Sequence, residues 1–316
     1  MDAVRHELFH CMGIPVHLTL IGATEPQTKE DADRVEEVFR ERDRVFSRFR
    51  HDSELVSFNS RSGQWCQVSR ELFSVIEKCV NLSKATDGIF DASAGGLLAA
   101  AGYGLPTGFR SPEPVPDFRS IELDHTTRSI RCLPGQILEP AAIVKGMAID
   151  DGGRAILHSA AWMINAGGDI LTKGPYPGQA MWHIALQHPS NRKAAATFVG
   201  IRNEAIATSG TYEVTWSHNG VAWHHQVNMR TRRPTTGLKS VSVIAKNAER
   251  ADTLASIGFL SGLENGRRYL EGQSVPYLFI DDKDRMVFNA LFSDRQMYRR
   301  PCAIQDRYWR NRKSVL

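Results

Sequence analysis

The chain has 316 residues, enough for one large domain or two modest ones around a substantial core. With 42% hydrophobic and 23% charged residues it has the composition of an ordinary globular protein, and a net charge of +4 is too mild to point to nucleic acid. The cysteines, Cys11, Cys66, Cys79, Cys132 and Cys302, are odd in number and lack CxxC spacing, so neither a disulfide framework nor a zinc site is supported.

In chain order, Ile14 to Ile21 (IPVHLTLI) is apolar and β-branched and predicts a strand; it is too short to cross a membrane and contains His17. With no signal peptide, lipobox or transmembrane run visible, a cytoplasmic protein without a membrane anchor is expected. Thr28 is placed to cap a long helix carrying Ala32, Val35, Phe39, Val45 and Phe46 on one side. The helical pattern breaks between Glu54 and Asn59. A second helix is expected from Ser69, burying Leu72, Val75, Ile76 and Cys79, with a stop at Thr86-Asp87-Gly88. Pro106 to Pro116 is a Pro/Gly-rich loop, and Ile121 to Ile137 reads as short strands.

The stretch Glu139-Pro-Ala-Ala-Ile-Val-Lys-Gly-Met-Ala-Ile-Asp150 places an acid, a small-residue turn and a Lys-Gly pair ahead of a possible helix. Such a stretch suits a diphosphate, because backbone can approach closely and a cation and a helix N-terminus stand at the turn. A buried strand-to-helix junction with a snorkelling lysine fits it equally well. Trp162 to Ile170 predicts a strand opening into a glycine turn, and Ala205 to Gly210 a second small-residue turn. Ser240 to Ala245 is expected as a strand, Glu249 to Leu260 as a helix and Val275 to Phe288 as a hairpin. Strands and helices without regular alternation argue for an α+β fold. The run Asp294 to Lys313 has seven Lys/Arg against two Asp; it reads as a solvated basic tail, with RNA binding as the alternative.

Asp252 and Ser256, four apart on the last long helix, project hard oxygen donors from one face and suit Mg²⁺, an ion that takes its other ligands from water and substrate phosphates. A surface acid with a solvent-facing serine is the plainer alternative. Gly167-Gly168-Asp169 and Thr208-Ser209-Gly210 are each compatible with a ligand-facing turn or an ordinary one. Of the pair His224-His225, one can deprotonate a hydroxyl nucleophile near neutrality.

In order along the chain these pieces resemble the ApbE family, the FAD:protein FMN transferases. The residues that carry the resemblance are Met12-Gly13-Ile14, Phe46-Ser47-Arg48-Phe49 with Ser53 and Asn59, Gly88-Ile89-Phe90-Asp91, and Glu139 to Asp150. They continue with Asn165 to Asp169, Thr208-Ser209-Gly210, His225 to Pro234, Ser240 to Val243 and Ala251 to Ser256. Each motif is weak alone, and the ordered set spans almost the whole chain.

The resemblance implies a single domain over residues 1–316. It would be α+β, two-lobed, with mixed sheets and flanking helices, and with FAD in the cleft between the lobes. It further implies that Met12, Phe49, Ile89, Phe90, Asp91, Glu139 and Lys145 contact FAD as substrate. The carbonyl of Ala142, with Asp252 and Ser256, would hold Mg²⁺, and His225 would be the catalytic base. The reaction implied is transfer of FMN from FAD to a threonine or serine hydroxyl of an acceptor flavoprotein, with loss of AMP. The chain departs from the family pattern at Glu139 for Asp, Ala141-Ala142 for Gly-Gly or Ser-Thr, and Met147 for an aromatic. Asn228, Met229 and Arg232 replace the Asp, Pro and Gly of HIIDPxTG. Those last changes suggest an alternative, a module that binds or slowly hydrolyses FAD without modifying a protein.

Overall fold

The computed structural model describes residues 3–103, 112–211 and 215–297, so most of the basic tail, Cys302 and part of the Pro/Gly-rich loop lie outside the described residues. Two strands, β1 (Val4–Cys11) and β2 (Ile14–Ile21), form a hairpin through Met12 and Gly13, whose positive φ values of 53° and 74° match the two-residue turn such hairpins favour. Helix α1 (Glu25–Phe46) is capped by Thr24, not Thr28: Gln27 accepts hydrogen bonds from the Thr24 amide and hydroxyl, while Thr28 lies buried within the first turn. The Thr-Glu-Pro-Gln start, with proline in the first turn, outcompetes the later threonine. Where the pattern breaks, α2 (Glu54–Ser60) forms behind the Ser53 cap, and β3 (Cys66–Gln67) follows. Helix α3 (Arg70–Ala85) starts at the Ser69 cap and stops at Gly88 with φ 73°, as expected. Next come α4 (Ala94–Ala100), β4 (Glu122–Asp124) and β5 (Ser129–Arg131).

Helix α5 (Ala141–Ala155) begins before the Lys-Gly pair, which therefore lies within the helix. Strands β6 (Ala161–Ala166) and β7 (Asp169–Lys173) turn through Gly167 and Gly168, and β8 (Trp182–His188) with β9 (Asn191–Ile201) forms a long hairpin. Residues 205–210, expected as a turn, are strand β10 (Ala205–Gly210). Short strands β11 (Thr215–His218), β12 (Val221–His224), β13 (Val227–Asn228) and β14 (Arg233–Pro234) lead to β15 (Leu238–Ala245), α6 (Ala248–Leu260) and α7 (Gly262–Gly272). The chain continues through the expected hairpin, β16 (Tyr277–Asp281) and β17 (Met286–Phe288), to α8 (Ala290–Ser293).

One eight-stranded sheet, ordered β1-β2-β6-β7-β10-β15-β16-β17, organises the α+β fold, and every strand pairing among the described residues is antiparallel. Alternation along the strands gives the sheet two apolar faces. Val16, Leu18, Leu20, Ile164, Ala205 and Ala207 pack with α1 and α5, joined by Ala248 and Ala251 of α6. Ile170, Ile206, Ile244, Leu278 and Ile280 face the other way, onto the β8–β9 hairpin. A separate core gathers Leu55, Leu72 and Ile76 of α2 and α3 with Ile143 and Val144 of α5 and Ile257 and Leu260 of α6. Helices α5 and α6 thus contribute to both cores, which is why they are apolar nearly all round.

Candidate functional site

The site is built where α5 crosses α6. Gly146 makes the crossing possible: a Cβ there would stand 2.6 Å from Glu249 Cα and 2.7 Å from the Ala248 carbonyl oxygen. One turn on, the Asp150 carboxylate accepts hydrogen bonds from the amides of Ala248 (2.7 Å) and Glu249 (3.0 Å), capping α6 from a neighbouring helix. A carboxylate at a helix N-terminus satisfies free amides and meets the positive end of the dipole. Burial still leaves the Asp150 carboxyl above its ordinary range, against the pull of those two amides.

This crossing sets Lys145 beside Asp252. Lys145 Nζ lies 2.8 Å from Asp169 Oδ2 and 3.9 Å from Asp252 Oδ1. Asp252 and Ser256 are only 4% and 2% exposed, so the surface reading of this pair is wrong. Burial, aided by the Asp169 charge, pushes the Asp252 carboxyl up to about 7 against the pull of Lys145 and the Gly146 amide. The Gly146 amide is the helical partner of the Ala142 carbonyl by register, so Asp252 lies near the start of α5. Among the described residues, two buried carboxylates face Lys145, and Asp252 Oδ2 has no hydrogen-bond partner. A buried carboxylate in that condition calls for a cation.

Strands β7 and β10 complete the wall. Asp169 falls on the helix-facing side of β7, in phase with Leu171, and accepts from the Thr208 amide at 3.1 Å. Ser209, in phase with Ala205 and Ala207, faces α6 and lies 3.1 Å from the Ser256 hydroxyl. Sequence reasoning singled out the two turns and missed these side chains, although period-two alternation with the apolar neighbours points both of them towards the helices.

The remaining residues expected at the site lie on other segments. Glu139 stands just before α5, its amide bonded to the Ala92 carbonyl (2.7 Å) and its carboxylate to Arg48 (3.0 Å). Phe49 is 61% exposed, and Met12 packs where the two main cores meet. Ile89 packs against the α2–α3 core, and the Phe90 ring is buried inside it. Both Asp91 oxygens are taken by backbone amides, Ser93 at 2.8 Å and Phe118 at 2.9 Å. Phe90 and Asp91 are 4% and 5% exposed, so both side chains are turned into the protein.

His225 follows β12 on a loop that Asn228 and Thr235 tether to the Leu260 carbonyl at the end of α6. Asp252, Ser256 and Leu260 recur every fourth residue, so one face of α6 joins the loop to the acidic centre. His225 Nε2 is 3.3 Å from the Gln226 side-chain nitrogen; with that amide donating, Nε2 carries the ring lone pair. Neighbouring His224 is structural: Nε2 donates to the Thr235 carbonyl, Nδ1 accepts from the Gln226 amide, and burial lowers its pKa. The altered turn residues also have physical accounts. Asn228 donates to Leu260 and accepts from the Arg230 and Thr231 amides, and the Met229 amide, absent from a proline, bonds the Ile89 carbonyl at 3.4 Å. Arg232 holds φ 55° without glycine.

Residues 12–279 match the model of the ApbE family. The FAD:protein FMN transferase of Haemophilus influenzae is 24% identical over 292 residues, 85% of this chain and 84% of its own. That of Vibrio cholerae is 27% identical over 252 residues, 75% of each chain. The solved ApbE protein of Thermotoga maritima superposes with a TM-score of 0.83 at 23% identity, covering 94% of this chain and all of the other. With the match spanning most of its length, the chain belongs to the ApbE family.

Proposed function

We propose that this protein transfers the FMN part of FAD to a threonine or serine hydroxyl of an acceptor flavoprotein, with Mg²⁺, and releases AMP. The observation that carries the reading is the buried pair Asp252 and Asp169 beside Lys145, with Asp252 Oδ2 lacking a hydrogen-bond partner among the described residues. Family membership and the FAD:protein FMN transferases among the relatives support it.

Asp252, Ser256 and the Ala142 carbonyl would hold Mg²⁺, a set of hard oxygens that suits it. When bound, the ion offsets charge on the diphosphate. Lys145, fixed by Asp169, presents its ammonium to the same phosphates, and preorganised charge of this kind is the main source of catalysis in phosphoryl transfer. His225 takes the proton of the acceptor hydroxyl as its oxygen bonds to the FMN-side phosphorus. The bond from that phosphorus to the AMP oxygen breaks, and AMP departs. General-base help of this type contributes about 10²–10⁴-fold.

The test mixes the purified chain with FAD, Mg²⁺ and a candidate acceptor flavoprotein and looks for flavin fluorescence in a denaturing gel. A band that requires Mg²⁺ and disappears in Asp252→Ala is the expected result. FAD bound without a band, across several acceptors, would replace transfer by the FAD-binding or slowly hydrolysing module. No FAD binding would overturn both.

A further inference from the structure

Arg48, the ion-pair partner of Glu139, is fixed by two hydrogen bonds and two aromatic rings. It follows the end of α1 and is 15% exposed. One guanidinium nitrogen donates to Glu139 Oε2 at 3.0 Å, and the other donates to the Tyr103 hydroxyl at 2.5 Å. Its guanidinium carbon lies 4.6 Å from the Phe49 ring centre and 4.4 Å from that of Tyr103. Tyr103 in turn stacks on Trp216, with centres 4.8 Å apart and planes 15° from parallel, and the Trp216 indole donates to the Ala101 carbonyl. The Glu139 side chain is 8% exposed, and Arg48 is its ion-pair partner. Removing the cation strands a desolvated carboxylate, which must take up a proton or swing away. A lysine restores charge but neither the two-pronged bonding nor the flat surface between the rings.

We propose that Arg48 is a positioning residue for the dinucleotide substrate: it holds the Glu139 carboxylate in place and backs the exposed Phe49 ring. The proposal rests on the reading that Glu139 and Phe49 contact FAD. Because Glu139 is one methylene longer than aspartate, its carboxylate has more rotamers to lose, and Arg48 selects one of them.

The experiment measures FAD affinity by equilibrium dialysis, with a thermal melt on each protein, for wild type, Arg48→Met, Arg48→Lys, Glu139→Gln and the double variant Arg48→Met/Glu139→Gln. Misplacement of a binding group predicts a Kd raised about tenfold in Arg48→Met, with Arg48→Lys in between. The double variant should bind no more weakly than the weaker single one, because the two residues act as a unit. If folded Arg48→Met binds FAD as wild type does, or if the two single effects multiply, the proposal fails. Should Arg48→Met melt out, Arg48→Lys against Glu139→Gln carries the same comparison. Loss of FAD binding in wild type would instead overturn the FAD reading on which it rests.

Discussion

Arg232 shows how a single residue departs from its family's pattern and what that costs. It holds φ 55°, a left-handed conformation in which an L side chain crowds the following carbonyl by about 1–2 kcal/mol. The bonds made by Asn228 and the Met229 amide around this turn hold it in that conformation. Arg232→Gly should therefore raise stability by about 1 kcal/mol, read as a higher midpoint in urea; an unchanged or lower midpoint would mean that the turn relaxes around arginine. Charge pairing was the least legible level in the sequence. Asp252 has the spacing of any helix-surface acid, and it is tertiary packing of α5, β7 and β10 around α6 that buries it. Arg48 and Glu139 are far apart in the chain, and no local pattern predicts that they meet.

At the scale of elements, strand phase and capping were readable where the signals were local. Ser69, Gly88 and the β6–β7 glycines mark boundaries through short-range chemistry, and the structure keeps them. Thr24 caps α1 in place of Thr28 because proline and glutamine favour the earlier start, and the small residues that suggest a turn at β10 serve close packing against α6. Strands β1 and β9 contain runs of consecutive polar residues, Arg5-His6-Glu7 and Asn191-Arg192-Lys193, and so lack the period-two alternation that marks a strand. Gly146 is the clearest test of helix packing. In an open helix Gly→Ala gains about 1 kcal/mol, but here the new Cβ would overlap α6 backbone, and overpacking of that kind costs about 1–3 kcal/mol. Gly146→Ala should thus lower the melting temperature and weaken Mg²⁺-dependent activity together; a gain in stability would show that the crossing can open without loss.

For the whole molecule, buried Asp252 should link stability both to pH and to divalent ions. The Asp252 carboxyl is raised from its ordinary value to about 7 in the folded state, so between those limits the folded chain binds more protons than the unfolded one. Stability from this source is lost as pH rises through that window. His224, lowered by burial, acts in the opposite sense below its ordinary value, where charging would turn its accepting nitrogen against the Gln226 amide. At pH 8 without divalent ions, Asp252→Asn should be more stable than wild type by about 1–3 kcal/mol, the scale of an unsatisfied buried polar group. Adding Mg²⁺ should raise the wild-type melting temperature and leave that of the variant unmoved. A variant that gains as much from Mg²⁺ would place the ion elsewhere.

The Asp150 cap on α6 also bears on how tolerant this architecture is of insertions. The height of α6 against α5 is set by two hydrogen bonds and by a glycine contact, not by the length of chain between the helices. Extra residues at the tip of the β8–β9 hairpin, or a longer connection after β10, would therefore lengthen the chain without moving Asp252 from Lys145. The intervening segments are free to diverge in size and surface, as the parts that meet a partner often do, while the centre they enclose keeps its spacing.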